Sequence, residues 1–106
     1  MTISMGIEDR TTGAFQDVPV CTSATFRQFW LPAAKELRLE MIESLPALWI
    51  TAEYRDQFLR ELDILDAWVG DRLEIDDYFV EMRRRIDTIA KLVRETPLEQ
   101  SEISFG

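Results

Sequence analysis

Carboxylates are the side chains best suited to chemistry in this chain, and they crowd into one region. Seven of them lie between positions 63 and 81: Asp63, Asp66, Asp71, Glu74, Asp76, Asp77 and Glu81. Several carboxylate oxygens together can bind a divalent cation, but the EF-hand spacing with its central glycine is missing. Nothing in the pattern marks one carboxyl as a buried general acid or base. Divalent-metal binding through residues 63–81 therefore stays a second alternative, and we assign no residue as a metal ligand.

Other catalytic groups are scarce. The chain has no histidine, which removes Ser-His-Asp and Cys-His catalysis and zinc sites built on histidine. Cys21 precedes a predicted helix start, where a thiol pKa can fall, but without a histidine base we expect a small packed thiol. The four glycines, at positions 6, 13, 70 and 106, form no phosphate-binding loop. We predict no enzymatic activity, no catalytic residue and no cofactor.

The charge balance narrows the choice of binding partners. The net charge is −8, and residues 53–81 hold ten carboxylates against three arginines, which gives −7 in that segment. Phosphate contacts need Lys and Arg, so direct binding of nucleic acid is disfavoured, as is binding to an anionic membrane. A basic protein surface is the natural complement, and long-range attraction would speed its approach.

The predicted helix over residues 52–69 carries the most suggestive surface. Its main apolar face centres on Phe58, Leu62 and Leu65, so Ile64 and Trp68 fall beside that face. An apolar pair surrounded by carboxylates is typical of a binding hot spot, although the rest of the domain can also bury both. The predicted partner-binding residues are Glu53, Asp56, Glu61, Asp63, Ile64, Asp66, Trp68, Asp71, Glu74, Asp76 and Asp77. The prediction requires these carboxylates to be free of the chain's own arginines.

Two short segments flank the helices. At the start of the chain Met1, Ile3, Met5 and Ile7 alternate with small or polar residues, as in a strand. Residues 1–21 are therefore predicted to be either a β-hairpin or an extended arm packed on the helices. Residues 98–106 are predicted to be a short acidic tail.

Apolar residues at steps of three and four predict helices over most of the remaining chain. The first begins at Thr22 or Ser23, and Pro32 either kinks it or opens a second helix. The clearest helix ends at Gly70, in the usual place for a left-handed residue. The last helix ends before Pro97, and its cluster Arg83-Arg84-Arg85 lies between acidic neighbours, which favours an ion-paired or solvated face.

The predicted fold is mainly α: a small antiparallel bundle of three to four helices with an N-terminal extended arm or short β-hairpin. The 106 residues suffice for one domain. Within it, residues 1–21 form the arm or hairpin packed on the bundle, 22–97 the helical bundle, and 98–106 the tail.

The predicted function is protein binding. In general character, though not in any aligned motif, the chain looks like immunity proteins, antitoxins and phage-encoded inhibitors, which are small, acidic and catalytically empty. That profile suits an inhibitor that neutralises a basic partner, such as a nuclease toxin, by electrostatic blocking. The first alternative is a homodimeric adaptor or assembly factor using Leu39, Ile42 and the three tryptophans. The chain would be a monomer or a homodimer.

The predicted compartment is the cytoplasm. The first residues lack the basic start and apolar run of a signal peptide. No apolar stretch approaches the roughly 20 residues of a membrane span. A single cysteine, Cys21, allows no internal disulfide, which fits a reducing environment.

Overall fold

The computed structural model describes residues 1–106 and shows a mixed α/β fold. Helices account for 50% of the residues and strands for 23%, and the strands form one four-stranded antiparallel sheet. The predicted mainly α bundle is therefore wrong. The helices were expected to cover one another, whereas they also cover one face of a sheet built from both ends of the chain.

The first two strands form a hairpin, which is one of the two structures that the sequence left open. Strand β1 spans Thr2–Asp9 and pairs antiparallel with β2, Phe15–Thr22. In the connecting turn, Oδ1 of Asp9 accepts hydrogen bonds from the backbone N–H groups of Thr11 (2.8 Å) and Thr12 (3.1 Å). Gly13 has a φ of 73°, a left-handed conformation that costs glycine little.

A nearly continuous helical segment follows the hairpin. It consists of α1 (Ser23–Thr25), a π-helical turn (Phe26–Trp30) and α2 (Leu31–Leu37). Pro32 lies in the first turn of α2, directly after the π-helical turn. The segment ends at Arg38, which takes the left-handed conformation (φ 57°) and donates its N–H to the carbonyls of Ala34 and Lys35.

A short helix, two long helices and two further strands complete the fold. They are α3 (Glu40–Glu43), β3 (Leu48–Ile50), α4 (Arg55–Gly70), α5 (Tyr78–Glu95) and β4 (Ser101–Phe105). The strand order is β2-β1-β4-β3. The segment predicted as an acidic tail thus contains a central strand, and the backbones of Ser4 and Gly106 exchange two further hydrogen bonds of 2.8 and 3.0 Å beside it.

One hydrophobic core lies between the sheet and the helices, and it contains 24 buried residues. The sheet contributes Ile3, Met5, Val20, Ile50, Ile103 and Phe105. Because side chains alternate along a strand, the residues between these, such as Gly6, Glu102 and Ser104, point away from the helices. No helix in the structure is both long enough and apolar enough to span a lipid bilayer.

Candidate partner-binding surfaces

Most of the predicted acidic residues are open to water. Exposed carboxylates of the 53–77 segment that form no ion pair with a lysine or arginine are Glu53, Asp56, Asp63, Asp71, Glu74, Asp76 and Asp77. Asp76 has one local role, since its Oδ1 accepts a 2.8 Å hydrogen bond from the backbone N–H of Tyr78 at the start of α5. These seven side chains keep their charge available to a partner.

Glu61 does not belong to that surface. Its side chain is buried, with 6% of the residue exposed. Oε1 accepts the backbone N–H groups of Met41 (3.0 Å) and Ile42 (3.1 Å), and Oε2 accepts the Gln57 amide (3.0 Å). Glu61 therefore satisfies the free N–H groups at the start of α3 from a neighbouring helix, and it cannot contact a partner.

Asp66 is engaged by an arginine of the next helix. Its Oδ1 lies 3.2 Å from Nε of Arg83. The guanidinium also lies over Gly70, where a Cβ would come within 3.1 Å of it. Gly70 does not have the positive φ expected of a helix-ending glycine; instead, its missing side chain leaves room for Arg83.

Trp68 is half-buried and its polar atom is already bonded. Nε1 donates a 2.6 Å hydrogen bond to Oε2 of Glu36. The ring meets Phe79 edge-on, with 5.8 Å between centroids, and the Arg72 guanidinium carbon lies 3.8 Å from its centroid. Of the predicted apolar pair, only Ile64, which is 48% exposed, remains open to a partner.

The basic cluster of α5 is paired within the protein, as its acidic neighbours suggested. Glu81 accepts from Arg84 at 2.6 Å and from Arg85 at 2.9 Å. Arg85 also donates to the carbonyl of Pro19 at 3.0 Å, which ties α5 to β2. Within the acidic segment itself, Arg72 is half-buried and donates its Nη1 to the carbonyl of Trp68 at 2.8 Å, and Arg60 is exposed.

The connection between α4 and α5 forms the most concentrated acidic surface. We call residues 71–77 the acidic loop; its exposed carboxylates are Asp71, Glu74, Asp76 and Asp77. Two apolar side chains accompany them: Ile75 is 73% exposed and Val80, on the first turn of α5, is 59% exposed. The sequence analysis did not select these two, although Val80 lies off the apolar face of α5 and Ile75 lies in the polar loop before it.

A second feature surrounds Trp49, which the sequence analysis named only among the tryptophans of the adaptor alternative. This side chain is 60% exposed and Tyr54 is 46% exposed. A shallow cleft of about 370 Å³ is lined by Glu40, Met41, Ser44, Leu48, Trp49, Tyr54 and Gln57. No lysine or arginine is among these residues, so the cleft carries only negative charge.

Two titratable groups outside the acidic segment have altered chemistry. Burial raises the pKa of the Cys21 thiol to about 11, although the positive charge of Arg85 opposes the shift. Burial likewise raises the pKa of Tyr78 to about 12, against the effect of its hydrogen bond from Nε1 of Trp30. The Cys21 thiol is thus protonated at neutral pH, which does not suit a nucleophile.

The structure bears differently on the residues of the two alternative functions. No group of three or more His, Cys, Asp or Glu side chains is arranged to hold a metal ion. Of the residues considered for a dimer interface, Leu39, Ile42 and Trp30 are buried in the core, whereas Trp49 is 60% exposed and Trp68 is half-buried. The surface outside the acidic segment also carries exposed cations that form no ion pair: Arg27, Lys35, Arg38, Lys91 and Arg94.

Comparison with known protein families, curated proteins and solved structures found no match. Two surfaces are therefore candidates for binding a partner. One is the acidic loop together with the exposed face of α4, and the other surrounds Trp49.

Proposed function

We propose that this protein binds a basic protein partner and neutralises it by covering a positively charged surface, in the manner of an immunity or antitoxin-type inhibitor. The partner class that fits is a nuclease toxin, whose active site must itself attract phosphate. The observation that carries the proposal is that seven exposed carboxylates between positions 53 and 77 are free of the protein's own cations.

The acidic loop and the adjacent first turn of α5 can supply both long-range electrostatic attraction and apolar contacts. Four carboxylates within seven residues attract a basic surface from a distance and give an association rate that falls with salt. Ile75 and Val80 can be buried in the complex, and full burial of such a side chain is worth about 1.5–3 kcal/mol. Exposed carboxylates next to exposed apolar side chains are typical of a partner-binding surface, whereas a loop that is only solvated needs no apolar side chains.

The exposed face of α4 extends the acidic loop along the molecule. Asp56 and Asp63 lie on this face with the exposed Arg60 between them, and Glu53 lies just before the helix. At 1.5 Å per residue, the 16 residues of α4 span about 24 Å. A basic groove that accommodates nucleic acid has a similar length, so carboxylates along α4 can replace its phosphates.

The test removes charge from the acidic loop without changing its shape. The loop variant combines Asp71→Asn, Glu74→Gln, Asp76→Asn and Asp77→Asn, which keep similar volumes and preserve an acceptor oxygen at position 76. The immobilised wild-type protein captures binding proteins from an extract of its native host at about 50 mM salt and releases them at about 500 mM salt. We expect a basic protein that the loop variant no longer retains.

A matched control separates the acidic loop from net charge alone. The control variant removes four exposed charges elsewhere, with Glu43→Gln, Asp87→Asn, Glu95→Gln and Glu99→Gln. It should still retain the captured protein, and wild-type protein should inhibit that protein's activity on nucleic acid. Equal losses in the two variants, or capture of nucleic acid itself, would contradict the proposal.

The cytoplasm is the compartment that we propose for this inhibitor. A basic partner synthesised in the same cell would be neutralised there before it reached nucleic acid. Fractionation of the native host with an antibody against the protein tests this placement, which would be wrong if the protein were recovered from the medium or the envelope.

A further inference from the structure

The sheet has a face that no helix covers, which we call the open sheet face. Cross-strand pairing defines its rows: Gly6 of β1 lies opposite Ser104 of β4, and Ser104 lies opposite Trp49 of β3. In the next row Glu8 lies opposite Glu102. The flanking residues Ile103 and Phe105 point to the core, which fixes the orientation of both rows.

Two exposed aromatic side chains stand on the open sheet face. Phe15 is 64% exposed and Trp49 is 60% exposed. The Phe15 ring lies over Gly6, because a Cβ at that position would come within 3.0 Å of two ring carbons. Trp49 is two strands away from Gly6, or about 10 Å. Between the two aromatic side chains the floor is formed by small residues, Gly6 and Ser104.

The charges on the open sheet face are almost all negative. Glu8, Asp17 and Glu102 are exposed, and none of them forms an ion pair. One cation also lies here: Arg10 is exposed and lines a cleft together with Trp49 and Glu102, and its Nη1 donates to the carbonyl of Leu98 at 3.1 Å. The carboxylates outnumber this cation by three to one. A ligand for this face must therefore bring positive charge.

We propose that the open sheet face binds an extended lysine- or arginine-rich segment of a protein, with one cationic side chain lying between Phe15 and Trp49. A cation within about 6 Å of an aromatic ring is attracted to its face, and Arg and Lys can also lay their apolar stems over the floor. The other cationic side chains of the segment meet Glu8, Asp17 and Glu102. This surface is separate from the acidic loop, which joins two helices of the other layer.

Charge excludes single-stranded RNA as the occupant. Aromatic side chains on an open antiparallel sheet are a common platform for stacking RNA bases. Such binding also needs Lys and Arg for the phosphates, and here Glu8, Asp17 and Glu102 would repel them.

A second copy of the chain is disfavoured as the occupant of the open sheet face, because of the charge of the face and because of its small area. Two open sheet faces would bring like carboxylates together. Four strands at about 4.8 Å spacing and about 17 Å of strand length give roughly 300 Å², well below the roughly 800 Å² per partner of a stable interface. An area of this size suits a single extended segment.

The test uses a blocked peptide of alternating lysine and threonine as the probe, titrated into the full-length protein at low salt. Fluorescence of Trp49, with Trp49→Phe as the reference, and backbone amide NMR shifts report where it binds. We expect saturable shifts in β1, β2, β3 and β4. The matching glutamate–threonine peptide and a single-stranded oligouridylate should give none.

Variants then separate this surface from net charge. Glu8→Gln combined with Glu102→Gln should weaken the lysine peptide about tenfold, and Trp49→Ser about fivefold. Glu43→Gln combined with Glu95→Gln removes the same charge elsewhere and should change affinity less than about twofold. Unchanged dispersion of the NMR spectra shows that each variant is folded.

Three results would overturn the proposal: equal weakening by both double variants, peptide shifts centred on the acidic loop, or tighter binding of the oligouridylate. The four-charge loop variant should keep its affinity for the peptide on the open sheet face. Failure of the acidic loop as an inhibitory surface would therefore leave this result unchanged, and the two proposals can fail separately.

Discussion

Replacing Glu61 by alanine should destabilise the protein strongly, although a predicted partner-binding residue on an acidic surface would be expected to tolerate the change. The carboxylate is 6% exposed and accepts three hydrogen bonds, from the backbones of Met41 and Ile42 and from the Gln57 amide. Alanine removes both acceptor oxygens and leaves two buried backbone N–H groups at the start of α3 without a partner.

The size of the loss follows from these contacts. A buried donor left without an acceptor costs about 1–3 kcal/mol, and loss of a side-chain cap costs about 0.5–2 kcal/mol. Because the effects overlap and water can partly enter, we expect Glu61→Ala to lower the free energy of unfolding by about 3 kcal/mol. Glu61→Gln keeps one acceptor oxygen but no charge, so it should lose about 1 kcal/mol.

Urea unfolding monitored by circular dichroism measures both variants. With a slope of about 1–3 kcal/mol per molar urea, Glu61→Ala should lower the midpoint by about 1–3 M. Asp63→Ala, two residues away on the exposed side of α4, is the control and should change stability by less than about 0.5 kcal/mol. If Glu61→Ala unfolds at the same urea concentration as Asp63→Ala, the carboxylate does not cap α3 and the burial argument is refuted.

Four further outcomes test the fold and its buried polar groups. Deleting residues 101–106 removes β4 from between β1 and β3 and should abolish cooperative unfolding measured by circular dichroism; a folded truncated protein would show that these residues are dispensable. Burial raises the pKa of Cys21 from 9.0 to about 11, so at pH 8 the thiolate fraction of the folded protein is about 100-fold lower than that of the unfolded chain. Alkylation by iodoacetamide should therefore be about 100-fold slower in the folded protein than in urea. Equal rates would contradict the raised pKa. Because of the same raised pKa, the Cys21 thiol keeps its proton to higher pH in the folded protein than in the unfolded chain. The free energy of unfolding should therefore be constant in this respect below pH 9 and fall as the pH rises from about 9 to 11. Cys21→Ser should reduce this dependence of stability on pH, measured by urea unfolding at several pH values. Trp30→Phe removes part of a fully buried side chain and leaves the half-buried Tyr78 hydroxyl without its 2.8 Å donor. It should cost about 2–3 kcal/mol, which a shift of the urea midpoint below about 0.5 M would disprove.

The long helices could be predicted because their signal is local. The apolar residues of α4 and α5 repeat at steps of three and four, and each helix buries the face that this spacing marks, including Phe58, Leu62 and Leu65 in α4. Helical periodicity depends only on residues within a few turns. A helix can therefore be recognised without knowing which other segment of the chain packs against it.

The short strands could not be recognised in the same way. β3 has three residues and β4 has five, so neither offers enough repeats to establish a period of two. In β4, Ile103 and Phe105 alternate with serine and glutamate, and the sequence alone predicts an acidic tail there. Its strand structure depends on β1, which lies about a hundred residues earlier in the chain, and such a pairing leaves no local signature.

The carboxylates of α4 could be located by sequence but not assigned to inside or outside. Glu61 lies about 70° from the centre of the apolar face at 100° per residue, on the flank that also bears Trp68. Whether that flank is buried depends on whether another element packs against it. In the structure α2 and α3 pack there and bury Glu61. Asp63 faces the opposite way and stays exposed. Charge and spacing alone cannot distinguish the two roles.

The sheet changes how the acidity of this protein is distributed. In the sequence, residues 1–22 carry a net charge of −2 and residues 95–106 a net charge of −3, and each segment taken alone is only mildly acidic. Because β1 and β4 are neighbours, Glu8 and Glu102 come to lie opposite each other on the open sheet face. A helical bundle with two loose ends would have dispersed these charges into solvent. The mixed fold instead gathers them on a second acidic surface beside an exposed tryptophan.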